Sequence, residues 1–300
     1  LLGLFDAAVE QYGVQTPRLQ FLPESRYDRT IFPTIGQYDW FSGQLLYCLI
    51  RYLRPVRVIE VSCSSGYSSI FMARALQDNK MGMLETFELS PEVAQAAQHN
   101  FERFGVRDVV RLHVGDARVT AQALLAERAG RQDREILFLD SEHTETFARF
   151  YLDSFLVDTA DESLFHMHDI LPPHARVMYR PIEKVEEVKW RARLFNRMSR
   201  VIPGMKRIDF PRRLVKPVLF DPLQQSSEAN FGHRLSEQLP SESQVYVYDL
   251  RGRYPSMQAS RYDHGSFWQC DDGGRPMEWN DSWWVSCDAL KRVYYQNKSG

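Results

Sequence analysis

The chain has 300 residues, 44% hydrophobic and 25% charged, with a formal net charge of −2. That length suits one sizeable α/β domain with insertions, or two small domains. Near-neutral charge gives the whole chain no electrostatic case for nucleic acid or an anionic membrane, and no apolar run reaches the length of a membrane span.

Residues 1–54 read as a mostly helical lead-in. The opening LLGLFDAAVEQYG carries Asp6 and Glu10 and no basic leader, so it is read as the remains of an amphipathic helix and not as a signal peptide. Lacking an initial Met, this end is read as a fragment boundary. GQLLYCLIRYL then places apolar residues at helical spacing before Pro55. Five short runs rich in β-branched and aromatic residues follow, starting near Val56, Met83, Val109, Glu135 and Ser163 at steps of 27, 26, 26 and 28 residues. A helix-like stretch follows each of the first four. Ser90 as N-cap, Pro91 and Glu92 in the first turn, and Gly105 past the end mark the second of these helices, and Gly130 closes the third. The period predicts a Rossmann-like α/β fold: a doubly wound, mainly parallel sheet with helices on both faces, its core at 55–170.

After Asp169 the period breaks. Residues 171–278 hold ten of the fifteen prolines and are read as a long insertion or cap after strand five, with one strand expected at QVYVYDL. The segment 279–300, with DSWWVSCDALKRVYY, is expected to be an apolar helix returning to the core. Cys48, Cys63, Cys270 and Cys287 form no CxxC pair and no zinc-finger spacing. Free thiols and a cytoplasmic location are therefore expected, with a Cys270–Cys287 pairing as the lesser alternative.

In a doubly wound sheet, ligands bind at the carboxyl ends of the strands. The polar residues at those ends are Glu60, Glu88, Asp116, Asp140 and Asp169. The first loop reads Glu60-Val-Ser-Cys-Ser-Ser-Gly-Tyr-Ser-Ser69, small residues leading into a helix start. It lacks both the G-x-G-x-x-G dinucleotide pattern and the P-loop with its Lys. An acidic residue before a loop with one glycine suits a cationic or zwitterionic ligand better than pyrophosphate. Glu88, 22 residues beyond Gly66, is placed to take both hydroxyls of a ribose, and Asp116 to receive an adenine amino group. The cofactor candidates are Glu60, Ser62, Cys63, Ser64, Gly66, Tyr67 and Ser68 in the first loop; Glu88, Leu89 and Ser90 after strand two; Asp116 and Ala117 after strand three; and Asp140 after strand four. The competing reading has Glu88 and Asp116 as helix caps.

EVSCSSGYS resembles the E-x-G-x-x-x-G-Y-S motif of small-molecule O-methyltransferases within the class I S-adenosylmethionine-dependent methyltransferases, with Ser62 in place of the first glycine. The resemblance runs over 33–170 through FPTIG, RPVRVIEVS, ELSPE, VGDA, FLDSEH and FHMHDILPP. It resumes at MEWNDSWW, which is similar to the W-N-E-Q-Y segment of a bacterial F-H-D branch. Residues 174–276 match nothing in that family. The resemblance implies S-adenosylmethionine as cofactor and O-methylation of a small-molecule or sugar hydroxyl. The two further strands usual in the family are not found, so the carboxyl end is also read as truncated.

Four of the eight histidines, His143, His166, His168 and His174, fall between 143 and 174. Asp140, His168 and Asp169 would converge as one nitrogen and two oxygen ligands for Mg²⁺, Mn²⁺ or Fe²⁺. The metal-dependent members of the family end strand five with an Asp-Asn pair, so His168-Asp169 matches in part. The alternative has His168 as a hydrogen-bonded inner residue and Asp140 orienting the loop near the sulfonium. His143 is read as a base for the acceptor hydroxyl, a stacking partner for adenine, or the cap of helix TETFARFYLDSF. The catalytic candidates are thus His143, His168 and Asp169.

Between Lys189 and Lys216 stand ten Lys or Arg against one acid, Asp209. That stretch is read either as a lid or dock for an anionic partner or membrane surface, or as a solvated helix. Trp268, Trp279, Trp283 and Trp284 either line an acceptor pocket or belong to the core. Two rivals to the enzyme remain at this point: a non-catalytic relative working through its basic insertion, and a nucleotide-binding oxidoreductase. The second is disfavoured by the missing glycine pattern. A homo-oligomer stays open.

Overall fold

A computed structural model of the chain describes residues 1–16, 38, 40–170, 172, 177–179, 218–220, 226–250, 252–254, 257 and 282–296. The lead-in forms α1 (Leu2–Tyr12) and α2 (Trp40–Leu53). Five strands follow: β1 (Arg57–Val61), β2 (Met83–Glu88), β3 (Val110–Val114), β4 (Glu135–Leu139) and β5 (Leu164–Met167). Each starts within one residue of its expected position. Their order is β3-β2-β1-β4-β5 with every neighbour pair parallel, so the chain reverses its direction of growth between β1 and β4. The crossovers carry α3 (Tyr67–Asn79), α4 (Pro91–Arg103), α5 (Ala117–Thr120), α6 (Gln122–Arg128) and α7 (Glu145–Tyr151).

Strand alternation divides the core into two layers. Val58, Leu84, Ile136, Phe138 and Leu164 face α2 and α3, meeting Leu45, Leu49, Phe71 and Leu76. Ile59, Phe87, Leu137, Leu139 and Phe165 point the other way, onto Leu124, Phe147, Tyr151 and Phe155. Because both faces are covered, β4 reads as a continuous apolar run from Ile136 to Leu139.

The insertion returns to this sheet. After the antiparallel pair β6 (Val177–Tyr179) and β7 (Val218–Phe220) come α8 (Ser227–Ser236), β8 (Gln244–Tyr246) and α9 (Val247–Leu250), then β9 (Trp283–Ser286) and α10 (Cys287–Gln296). β9 lies antiparallel between β5 and β8, which completes a seven-stranded sheet. Two strands beyond β5 therefore join the sheet, and β8 opens the expected QVYVYDL segment. The segment expected as one helix from 279 begins as a strand, and only its second part, α10, is helical. The physical reason is that Trp283 and Val285 pack into one apolar layer while Trp284 packs into the other. An apolar run covered on both sides shows no period that separates strand from helix. Trp283 and Trp284 are core residues, 0% and 1% exposed, and do not line an acceptor pocket.

At the amino ends of the strands Glu135 is buried between Arg57 (2.7 Å) and Arg128, whose guanidinium also reaches the Phe155 carbonyl. Cys48, Cys63 and Cys287 are buried thiols. Among the described residues no helix is long and apolar enough to cross a membrane. Cys270, His174, Trp268, Trp279 and the basic stretch 189–216 lie outside the described residues.

Candidate functional site

The loop leaving β1 is strained in a way the sequence only hinted at. Ser62 and Ser64 take left-handed backbone angles (φ 72° and 50°), and Gly66 follows at φ 88°. Ser62 thus takes a backbone conformation that ordinarily favours glycine. The amides of Ser62 and Cys63 both donate to the Phe87 carbonyl (2.9 and 3.2 Å), which folds the loop over the end of β2. A Cβ on Gly66 would lie 2.6 Å from the Phe101 ring. That position needs glycine for space as well as for angle.

The acidic residues along this rim separate into different roles. Glu60 is fully buried, and its oxygens accept from Ser68 Oγ (2.6 Å), Ser69 Oγ (2.5 Å) and Thr86 Oγ1 (2.6 Å). Burial raises its pKa. Its carboxylate and Ser68 are the fastening of the loop onto α3, so the expected direct contact with a ligand is not offered by either. Tyr67, also buried, sits edge-on to Phe71 (5.4 Å) within the core. Cys63 is buried too, and its thiol is pushed well above its usual range by burial.

Glu88 accepts from the amides of Ser64 and Ser90 (both 3.0 Å) and ties the first loop to the second. Leu89 beside it is 69% exposed, an apolar side chain open at the rim. Ser90 caps α4 by accepting from the Val93 amide (3.3 Å), as its sequence signature predicts. Asp116 caps α5 through the Arg118 amide (2.9 Å) and pairs with the Arg118 guanidinium (2.8 Å), with Ala117 buried behind it. The capping alternative therefore describes what Asp116 does in this structure.

A second group gathers at the carboxyl ends of β4 and β5. Asp140, His143 and Asp169 each bring one ligand atom to within 4.8 Å of the others. His143 stands at φ 54° and Asp169 at φ 57°. With Ser62 and Ser64 they make four of the six non-glycine residues of positive φ among the described residues. Strain of that kind persists where surrounding contacts over-determine it, and it collects at functional sites.

His143 Nε2 lies 3.0 Å from Asp169 Oδ2, and His143 Nδ1 lies 2.9 Å from Glu228 Oε2. Glu228 comes from α8 and is 2% exposed. Its hydrogen bond, with Asp169 beside it, raises the His143 pKa to about 9. A proton held that firmly near neutral pH disfavours reading the imidazole as a simple base. Nor does it cap the following helix: Thr144 does, accepting from the Phe147 amide (3.2 Å). Burial lifts Asp140 to about 7.

Beside Asp140 and Asp169 the structure groups His143, not His168. His168 is 4% exposed, with Nδ1 on Ser282 Oγ (3.1 Å), its ring against Tyr38 (5.0 Å) and Nε2 3.5 Å from Asp169 Oδ1. It is the inner hydrogen-bonded residue of the alternative reading, and His143 takes the place in the cluster expected for His168. His166 is fully buried, stacked on Phe138 (4.0 Å). Glu228 was missed altogether. Its only sequence signal is an acid at a buried position of an amphipathic helix, in line with Phe231, Gly232 and Leu235.

The cluster suits a divalent cation on two observations. Asp140, His143 and Asp169 each bring a donor atom within 4.8 Å of the others, with His143 Nε2 and Asp169 Oδ2 3.0 Å apart. Asp169 Oδ1 is buried, with His168 Nε2 at 3.5 Å and no hydrogen bond among the described residues. One imidazole with two carboxylates is a donor set for Mg²⁺, Mn²⁺ or Fe²⁺.

Residues 59–170 match the family model of the methyltransferase domain. That segment, the core of the sheet, is similar to a methyltransferase domain. Catechol O-methyltransferase of Niastella koreensis is 35% identical over 109 residues, 35% of this chain and 48% of that protein. Protein-L-isoaspartate O-methyltransferase of Hyperthermus butylicus is 31% identical over 121 residues, 36% of this chain and 50% of that protein. The chain spans about half the length of these relatives. An O-methyltransferase structure from Bacillus cereus in complex with SAH shares 14% identity at a TM-score of 0.43, covering 95% of this chain and 90% of that one. The methyltransferase-domain match ends at 170, so it includes Asp140, His143 and Asp169 but not Glu228. The relatives act on different acceptors by name, as expected when the shared segment is the part of the sheet that carries the loops of β1 to β5.

Proposed function

We propose that this protein binds S-adenosylmethionine at the carboxyl ends of β1 to β4 and transfers its methyl group to a hydroxyl of a small molecule or sugar. The observation that carries the reading is the placement of the acid cluster beside the topological switch point, across from the small-residue loop of β1, within a methyltransferase domain. Glu88 and the loop it braces would hold the nucleoside, with Leu89 at the rim against the base. The loop amides and Asp140 would face the amino-acid end of the cofactor.

In the transfer, an acceptor oxygen forms a bond to the methyl carbon as the carbon–sulfur bond breaks. The sulfonium leaves as a neutral thioether and the acceptor proton is released. The sulfonium already activates the methyl group, so the protein's task is mainly alignment of oxygen, carbon and sulfur. Asp140, His143 and Asp169 would hold a divalent cation. When bound, it would lower the pKa of an acceptor hydroxyl and fix its orientation. Three protein ligands leave room for two acceptor oxygens, which favours a catechol or vicinal diol over an isolated alcohol. The catechol in the name of the Niastella relative is consistent with that class.

Calorimetry with S-adenosylhomocysteine, with NAD as the control ligand, tests the cofactor assignment: binding of the first alone is expected. Binding of NAD alone, or of neither, would remove the methyltransferase reading. Turnover of catechol and diol acceptors with and without Mn²⁺ then tests the acceptor class and the cation.

A further inference from the structure

α8 is held against the acid cluster by a set of contacts that no other part of the site explains. The Glu228 amide donates to the His143 carbonyl (3.4 Å), and Ser227 Oγ accepts from the Glu145 amide (3.1 Å). Arg234 pairs with Glu145 (2.6 Å), and Arg149 lies over the Phe231 ring (4.6 Å). At Gly232 the helix approaches the end of β5 so closely that a Cβ would sit 2.6 Å from Ile170 and 2.8 Å from Met167. These contacts seat the helix with Glu228 buried directly behind His143. The carboxylate reaches Nδ1 while Nε2 faces Asp169.

We infer that Glu228 is the positioning residue of the cation site: it holds His143 as the Nδ1–H tautomer and aims the Nε2 lone pair at the ion. The inference rests on the reading of Asp140, His143 and Asp169 as that site. A histidine that ligates through one nitrogen generally donates its other N–H to a carboxylate or carbonyl. Such a partner fixes the ring, raises its basicity and typically contributes 10- to 100-fold in metal affinity. Without Glu228, His143 would keep its strained backbone but lose the group that orients its ring. The device also places a requirement on the insertion, because an arm outside the matched methyltransferase segment completes the site.

The test titrates Mn²⁺ into the whole chain and follows free Mn²⁺ by electron paramagnetic resonance, for the parent protein and for Glu228→Gln and Glu228→Asp. S-adenosylhomocysteine affinity is measured in parallel. Glu228→Gln is expected to weaken Mn²⁺ binding 10- to 100-fold, with Glu228→Asp recovering part of the loss and S-adenosylhomocysteine affinity unchanged in both. Equal Mn²⁺ affinity in the parent and a folded Glu228→Gln overturns this inference and leaves the cation site standing. A parent protein that binds no Mn²⁺ overturns the cation site and this inference with it, while its S-adenosylhomocysteine titration still reports on the methyltransferase reading. Should the variants not fold, long-range ¹H–¹⁵N spectra of the Mg²⁺-loaded parent decide. Nδ1 protonated with Nε2 deprotonated is expected for His143, and the opposite tautomer refutes the assignment.

Discussion

Ser62 shows what a left-handed turn costs when an L-residue occupies it. An L-residue in the left-handed region is disfavoured by roughly 1–2 kcal/mol, while glycine there loses about 0.5–1 kcal/mol in chain entropy. Ser62→Gly is therefore expected to stabilise the fold by about 0.5–1 kcal/mol in urea melts and to leave the loop's hydrogen bonds to Phe87 in place. The sequence showed the substitution but not its outcome, because backbone angle is set by the two amides pinned to one carbonyl.

His143 makes the opposite case. Its raised pKa, about 9, means the native state holds a proton that the unfolded chain sheds near its ordinary value of 6.5. The stabilisation is thus complete below about pH 6.5 and is lost as pH rises through 9. Asp140, lifted to about 7, acts in the same direction over its own lower window. With His143 40% exposed and screened accordingly, about 1 kcal/mol should disappear between pH 6.5 and 9.5 in chelator-treated protein. Denaturant melts across that range check it, and a Glu228→Gln variant should show a flatter profile.

At the scale of elements, the two ends of the sheet do different work. The carboxyl ends carry the loops with unusual backbone angles. The amino ends of β1 and β4 are pinned by Arg57, Glu135 and Arg128, all buried. Removing one partner of a buried ion pair leaves a charge uncompensated and costs about 3–5 kcal/mol. Glu135 keeps Arg57, so Arg128→Ala is expected at the lower end, about 3 kcal/mol. S-adenosylhomocysteine affinity should be unchanged, because the substitution lies at the far end of the strands. A shift in the denaturation midpoint with constant ligand affinity is the expected result. The second element-scale lesson is β9. Its tandem tryptophans read equally well as a buried helix, and pairing with β5 and β8 decided the matter.

For the molecule as a whole, the crevice depends on contacts between loops distant in sequence. Glu88 links the first and second loops through two amides, and hydrogen bonds to a charged group are worth roughly 1.5–3 kcal/mol each. If Glu88 holds the ribose as proposed, Glu88→Ala should weaken S-adenosylhomocysteine by at least about tenfold, through that contact and the loosened loop. Calorimetry that found no change would remove Glu88 from the pocket.

The βα period, the strand starts, the α4 cap and the loop after β1 were legible in the sequence because each rests on local chemistry: alternation, a capping hydroxyl, small residues before a helix. Asp140 and Asp169 were legible for the same reason, as acids standing where strands end. Which histidine joins them was not. His168 lies next to Asp169 in sequence, yet strand geometry turns it inward to Ser282, while His143 is turned outward by a left-handed backbone. Nor could local pattern reveal Glu228, which reaches the site from 85 residues beyond His143. The sequence alone determined the order of the elements and the rim on which Glu60, Glu88, Asp116, Asp140 and Asp169 stand. Only tertiary packing, the seating of α8 on β5 and α7, decided which side chains meet there, because side-chain convergence depends on contacts that no local run of residues encodes.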